Sequence, residues 1–172
     1  MKAALVLIDI QNDYFPGGEM ELFGAVEAAE RAAAVLSAAR NSKIPVIHVR
    51  HLSNRPDASF FIPGTVGSEI HERVTPLPGE DIIIKHFPNS FRETSLSDLL
   101  KTKGIERILV CGMMPHMCVD ATVRAAVDLG YQCIVAADAC ETRDLVFNGR
   151  TIPAPDVNAA FLAALTGLDA QV

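Results

Sequence analysis

RILVCGMMPHMCVDATVRAAVDLG, residues 107–130, is the stretch on which the reading of the fold turns. RILVCG (107–112) is a short apolar run of the kind that strands buried on both faces show. VDATVRAAVDLG (119–130) has helical spacing and stops at glycine, a common helix terminator. Between them lies the turn GMMPHM, so a strand feeds a helix with Cys118 at the junction. Cys111 ends the strand seven residues earlier, and a strand-to-helix turn separates the two cysteines without a disulfide or a shared metal.

The same alternation continues outward. ALVLI (4–8), IPVIHV (44–49), DIIIK (81–85) and YQCIVAA (131–137) are further apolar runs. AVEAAERAAAVLSAAR (25–40), TSLSDLLKTKG (94–104) and a last segment over 156–165 have helical patterns. Strand alternating with helix predicts an α/β fold with a mainly parallel sheet and right-handed crossovers. Residues 10–24 and 52–80 break the rhythm, and loops of that length in a compact domain are usually functional. With no repeat, low-complexity tract or linker, residues 1–172 are expected to form a single domain.

Composition narrows the partners. Hydrophobic residues make up 49% and charged residues 21% of 172, an ordinary globular balance that supports a full core. The net charge of -6 comes from scattered acidic residues, so no basic stripe is available to neutralise a nucleic-acid backbone. No apolar run approaches the roughly 18 residues of a membrane span, so no membrane partner is expected. Asp9 interrupts the N-terminal apolar run too early for a signal-peptide core, which points to a cytoplasmic chain. The four cysteines are then expected as free thiols.

In open parallel sheets, ligands bind beyond the carboxyl ends of the strands. That rule selects Asp9 after the first strand, Lys85 at the end of the third and Cys118 just past the fourth. Singly, each has a plain structural explanation: a turn former, a solvated lysine, a small buried hydrophobe. Together they make a chemical set. A thiol at a helix N-terminus beside an ammonium is expected to ionise near neutrality, and a carboxylate beside both would carry the proton. Nucleophile, activating cation and acid–base group are what covalent catalysis needs, with turn N–H groups available to hold an oxyanion.

LIDIQND (7–13), IIKHFPNSF (83–91) and GMMPHMCVDAT (112–122), in this order and spacing, resemble the isochorismatase-like cysteine hydrolases, the superfamily of nicotinamidases and carbamoylsarcosine amidases. The resemblance covers nearly the whole chain. It implies a three-layer α/β/α architecture with a six-stranded parallel sheet of order 3-2-1-4-5-6. It also implies Cys118 as nucleophile, Asp9 as proton shuttle and Lys85 as activating cation, a cis peptide between Met113 and Met114, and an oxyanion hole from the N–H groups of Met114 and Cys118. In that order two strands stand between strand 3 and strand 4, so Lys85 must cross that distance to reach Cys118. The chain departs from the family at Pro115, where threonine is common; proline fixes its own φ and holds Met114 to extended conformations.

Phe15, Phe60, Phe61, Phe87 and His116 are candidate substrate contacts, because they lie on the long loops or beside the triad. Gln11, Asn12 and Asn89 are candidates for positioning it, and Cys111, Cys133 and Cys140 read as structural. Some nicotinamidases carry an ion on aspartate and histidines after the second strand, but the corresponding HVRHLSNRPD (48–57) lacks their Asp-x-His pair. No C-x2-4-C pair exists and GTVGSEIH (64–71) matches no phosphate-binding motif, so neither a metal nor a cofactor is expected. Isochorismatases proper commonly lack the cysteine. Cys118 therefore argues for a small amide or imide substrate cleaved through a thioester, ahead of vinyl-ether hydrolysis or a noncatalytic binding protein that retains the fold. The resemblance further implies a homodimer or homotetramer.

Overall fold

Leu5, Val6 and Ile8 are wholly shielded from solvent, which puts their strand, β1 (Ala3–Ile8), at the centre of a sheet. The computed structural model describes residues 1–168 and 170–172. On one side of β1 lie β2 (Val46–His51) and then β3 (Asp81–Lys85); on the other lie β4 (Arg107–Met113) and then β5 (Gln132–Glu141). All four pairings are parallel, giving the order β3-β2-β1-β4-β5.

Side chains alternate across the sheet, so each strand contributes to two cores. Leu5, Leu7, Val46, Cys111 and Met113 pack against α1 (Ala25–Asn41), whose Ala25, Ala28, Ala29, Ala32 and Leu36 form its inward stripe. Val6, Ile8, Ile47, Val49, Ile108 and Val110 face the other layer. There they meet Leu96 and Leu100 of α2 (Leu96–Thr102), Val123 and Ala126 of α3 (Asp120–Asp128), and Leu162 and Leu165 of α4 (Ala154–Thr166). The α/β/α layering is as the sequence leads one to expect.

The sixth strand is where the structure differs. Its place beside β5 is taken by one parallel bridge: Gln171 donates to the Cys133 carbonyl at 3.0 Å and accepts from Val135 N–H at 2.7 Å. The remaining strands, β6 (Leu145–Phe147) and β7 (Arg150–Ile152), form a separate antiparallel hairpin. Its turn residues Asn148 and Gly149 have φ of 50° and 74°, the left-handed pair that an Asn-Gly hairpin requires.

The long segment between β2 and β3 is anchored at its far end by Glu80. That carboxylate accepts from Arg40 at 2.7 and 2.8 Å, from the buried His48 Nε2 at 2.9 Å and from Leu77 N–H at 2.9 Å. Hydrogen bonding to Arg40 pulls Glu80 down to about 2, and burial pulls His48 below its ordinary value. Both groups bind protons more weakly folded than unfolded. Stability is therefore full above about pH 6.5 and declines as pH falls toward 2. Urea midpoints at pH 7, 5 and 3 should fall in that order. Glu80→Ala should cost roughly 2–4 kcal/mol at pH 7 by stranding Arg40, and an unchanged midpoint would remove Glu80 from this role.

Candidate active site

Asp9 follows β1 with φ of 52°, which turns it out of the strand while its N–H still bonds the Val49 carbonyl at 3.0 Å. Lys85 is the last residue of β3, in register with His51 at the end of β2. Its ammonium passes over that strand end and meets Asp9 Oδ2 at 2.7 Å, with both side chains wholly buried. Nζ also donates to His51 Nδ1 at 3.1 Å and approaches the carbonyls of Phe87 and Pro88 at 3.2 and 3.3 Å. Ligand atoms of Asp9, His51 and Cys118 all lie within 4.8 Å of one another. The fold thus brings Asp9, Lys85 and Cys118 together, and adds His51.

The two-strand gap is closed by the chain that follows β3. Ser90 N–H donates to Thr122 Oγ1 at 3.0 Å, the two hydroxyls are 2.8 Å apart, and the Thr122 hydroxyl reaches the Pro88 carbonyl at 3.4 Å. These bonds dock the segment after Lys85 onto α3, the helix that Cys118 precedes. Nothing in a lone serine and threonine 32 residues apart signals this pairing. The Asn89 side chain, by contrast, accepts from Phe91 N–H within its own turn at 2.9 Å, its one side-chain hydrogen bond among the described residues.

The Cys118 turn is built on backbone constraints. Gly112 has φ of 135°, and a Cβ there would collide with the Ile8 carbonyl. The Met113–Met114 peptide is cis, and Met114 is extended ahead of Pro115 at φ -105° and ψ 143°. Pro115–Val119 then forms a wide turn in which Val119 N–H reaches the Met114 carbonyl five residues back at 3.2 Å. Cys118 sits inside this turn, ahead of the regular helix rather than at its first residue.

Burial changes the expected protonation. It pushes the Cys118 thiol upward, the Asp9 carboxylate adds to that, and Lys85 lowers it by less. The resting group is a thiol, which corrects the expectation of a standing thiolate: a helix end and one cation do not outweigh desolvation beside a carboxylate. Burial also works against the Lys85 ammonium, but Asp9 and Cys118 raise it on balance, so the lysine stays charged. His51 is drawn down by burial to about 4 and is neutral at pH 7.

A cavity of about 420 Å³ opens beside His51, lined by Phe60, Phe61, Phe87, Pro88 and Met117 among others. Three of the five proposed contacts are there, and Met117, one residue before the cysteine, joins them. Phe15 and His116 do not line it. Phe15 is buried and stacks on His71 at 3.6 Å, while His116 Nδ1 lies 2.6 Å from Thr142 Oγ1. Gln11 clamps the neighbourhood: its amide donates to the His51 and Ser68 carbonyls at 2.8 Å each and accepts from His51 N–H at 2.7 Å. Asn12 donates to the Val66 carbonyl at 2.8 Å. Asp13 accepts from Phe61 N–H at 2.6 Å, setting that ring over the site. A larger cleft of about 560 Å³ lies past Phe60 between Asn12, Gly18 and Gly67, but none of the four clustered residues lines it.

His71 is stacked on Phe15, His86 bonds the Leu52 carbonyl at 2.7 Å, and Asp57 is exposed and paired with Arg55.

Comparison with known proteins gives the family and the fold. A family model described as the isochorismatase domain matches residues 3–150. An uncharacterised isochorismatase family protein of Bacillus subtilis, YddQ, is 51% identical over 172 residues, covering 100% of this chain and 96% of its own. A crystal structure of an isochorismatase from Pseudomonas putida superposes with a TM-score of 0.92 at 39% identity, covering 99% of this chain and 86% of that one. An N-carbamoylsarcosine amidase from Thermoplasma acidophilum superposes at 0.82 with 26% identity, over 100% and 95% of the two chains.

Lys85 is the group that opposes the upward displacement of the Cys118 thiol. Lys85→Gln should therefore shift Cys118 alkylation by iodoacetamide to higher pH, slowing it at pH 8 by roughly tenfold for each unit of displacement. An unaltered pH profile would remove lysine from this role.

Proposed function

We propose that this chain, which belongs to the isochorismatase family, is a cysteine hydrolase that cleaves a C–N bond of a small amide or imide. At the coarser level it is an isochorismatase-family hydrolase. The observation that carries the finer reading is the buried Asp9–Lys85 pair set against the Cys118 thiol. The likeness to an N-carbamoylsarcosine amidase supports the choice of bond.

Asp9 is the general base: it takes the thiol proton as Cys118 Sγ attacks the substrate carbonyl carbon. A carboxylate beside a thiol with a raised pKa moves the proton at the moment of attack, so no standing thiolate is needed. The N–H groups of Met114 and Cys118 receive the oxyanion. As the tetrahedral species collapses, the C–N bond breaks, Asp9 returns the proton to the departing nitrogen, and a thioester remains. Water then attacks that thioester, giving its proton to Asp9; the acid leaves and the proton goes back to Cys118. Lys85 stays charged throughout and holds the negative charge that passes between Asp9 and the sulfur.

The cavity sets the size of the substrate. Phe60, Phe61, Phe87 and Met117 suit a small, largely flat acyl group, and a volume near 420 Å³ leaves no room for a folded polymer. Ammonia release from a panel of small amides and imides is the direct assay. Cys118→Ala should reduce turnover of any substrate found by about 10³-fold or more while leaving the thermal midpoint in place. A fully active Cys118→Ala chain would overturn the mechanism. Mass spectrometry of the quenched wild-type enzyme should show an acyl adduct on Cys118.

A further inference from the structure

We propose that Phe60 fixes the length of substrate this chain accepts, because its ring divides the cavity beside His51 from the larger cleft on its far side. The cavity of about 420 Å³ and the cleft of about 560 Å³ share two lining residues, Ser59 and Phe60. Ser59 is exposed, and its side chain is too small to close a passage. The inner cavity by itself lies low in the roughly 300–1,000 Å³ range of ligand pockets, so the partition confines the substrate to a compact amide or imide. That consequence rests on the proposed role of Cys118; the partition itself does not.

The cleft is built into the backbone. One wall is the turn from Asn12 to Glu19, and the other runs from Ser59 to Gly67. Asn12 donates to the Val66 carbonyl at 2.8 Å and Asp13 accepts from Phe61 N–H at 2.6 Å, so the walls are tied at two points. Gly18 and Gly67 close the base: a Cβ at the first would collide with the Asp13 carbonyl, and at the second with its carboxylate. None of these ties passes through the Phe60 ring.

That ring is seated by its neighbours. Its centroid is 4.9 Å from that of Phe61 and 6.2 Å from that of Tyr14, within the spacing at which aromatic pairs attract. Phe61 and Tyr14 are each 1% exposed and stand 4.7 Å apart, edge to face, so the seat is fixed. Among the described residues neither Ser59 nor Phe60 makes a backbone hydrogen bond, whereas the Phe61 carbonyl accepts from Ser53 N–H at 2.9 Å. Shortening the Phe60 side chain therefore opens the partition without removing an anchor of the loop. The joined space would extend to Pro16, Ile62 and Val66, an apolar lining suited to an alkyl or aryl extension of the substrate.

The test uses the full chain and a pair of thiol reagents, iodoacetamide and N-(2-phenylethyl)iodoacetamide. Each rate at Cys118 is followed by peptide mapping and divided by that reagent's rate with free glutathione. In the unaltered chain the longer reagent should be the slower. Phe60→Ala should speed the longer reagent by about tenfold or more, the scale on which apolar pockets sense single methylenes, and leave iodoacetamide nearly unchanged. Phe60→Leu should give a smaller gain, and it takes the place of the alanine variant if the thermal midpoint shows that one unfolded. Adding Val66→Trp to Phe60→Ala fills the cleft, so it should remove the gain. A longer reagent as fast as iodoacetamide in the unaltered chain, equal acceleration of both, no gain in a folded variant, or a gain that survives Val66→Trp would each overturn the partition. Alkylation needs no turnover, so a chain that is inactive on amides yet shows this pattern loses the proposed reaction and keeps the partition.

Discussion

A lysine ammonium and an aspartate carboxylate, both withdrawn from water, have to stay together. Moving either ion out of solvent costs several kcal/mol, and the mutual attraction offsets this only when the remaining donors and acceptors are satisfied. The 2.7 Å contact between Lys85 and Asp9 is therefore a constraint on everything around it. Lys85 meets it with His51 at the end of β2 and the Phe87 and Pro88 carbonyls of the turn after β3. His51, kept neutral by burial, accepts without adding a second positive charge. Apart from the Lys85 ammonium and the Cys118 thiol, neither Asp9 oxygen has a hydrogen-bond donor among the described residues.

The supporting structure grows from the residues immediately after Asp9. Gln11, Asn12 and Asp13 stand on one short turn and bond outward to residues 51, 61, 66 and 68, so this turn gathers most of the long excursion between β2 and β3. Close approach is part of the design: a Cβ at Gly67 would run into the Asp13 carboxylate. The same carboxylate holds Phe61 in a left-handed conformation, φ 55°, that a bulky residue adopts only under constraint. The aromatic wall of the cavity and the buried ion pair are thereby fastened by adjacent residues. At the other end of the excursion, Glu80 with Arg40 and His48 does the corresponding task.

Much of the fold was legible because its signals are local. Apolar runs of strand length, helical spacing ended by glycine, and the strand-end rule led to the three layers and to Asp9, Lys85 and Cys118. Met114 took the extended conformation that Pro115 imposes, again a local effect. Where the structure departs from expectation the cause is local too. Phe15 lies on a long loop, as pocket residues do, but its ring is buried against His71. The Asn148-Gly149 turn of the β6–β7 hairpin is a local signal of the same kind. At Cys118 the helix end and the cation that favour a thiolate are visible in sequence, whereas complete burial is not.

What the amino-acid sequence determined by itself was the order of elements, the chemical types at the strand ends, and the backbone demands of the turn around Gly112 and Pro115. These depend on residues within a few positions of one another, where steric and hydrophobic periodicities act. What only the tertiary structure decided was how strand-end residues two strands apart come to touch: through Ser90 and Thr122, through the reach of Lys85 over β2, and through His51 between them. Such contacts join residues dozens of positions apart, so they leave no pattern along the chain. The protonation of Cys118 belongs with them, since desolvation is a property of everything packed around a group rather than of its neighbours in sequence.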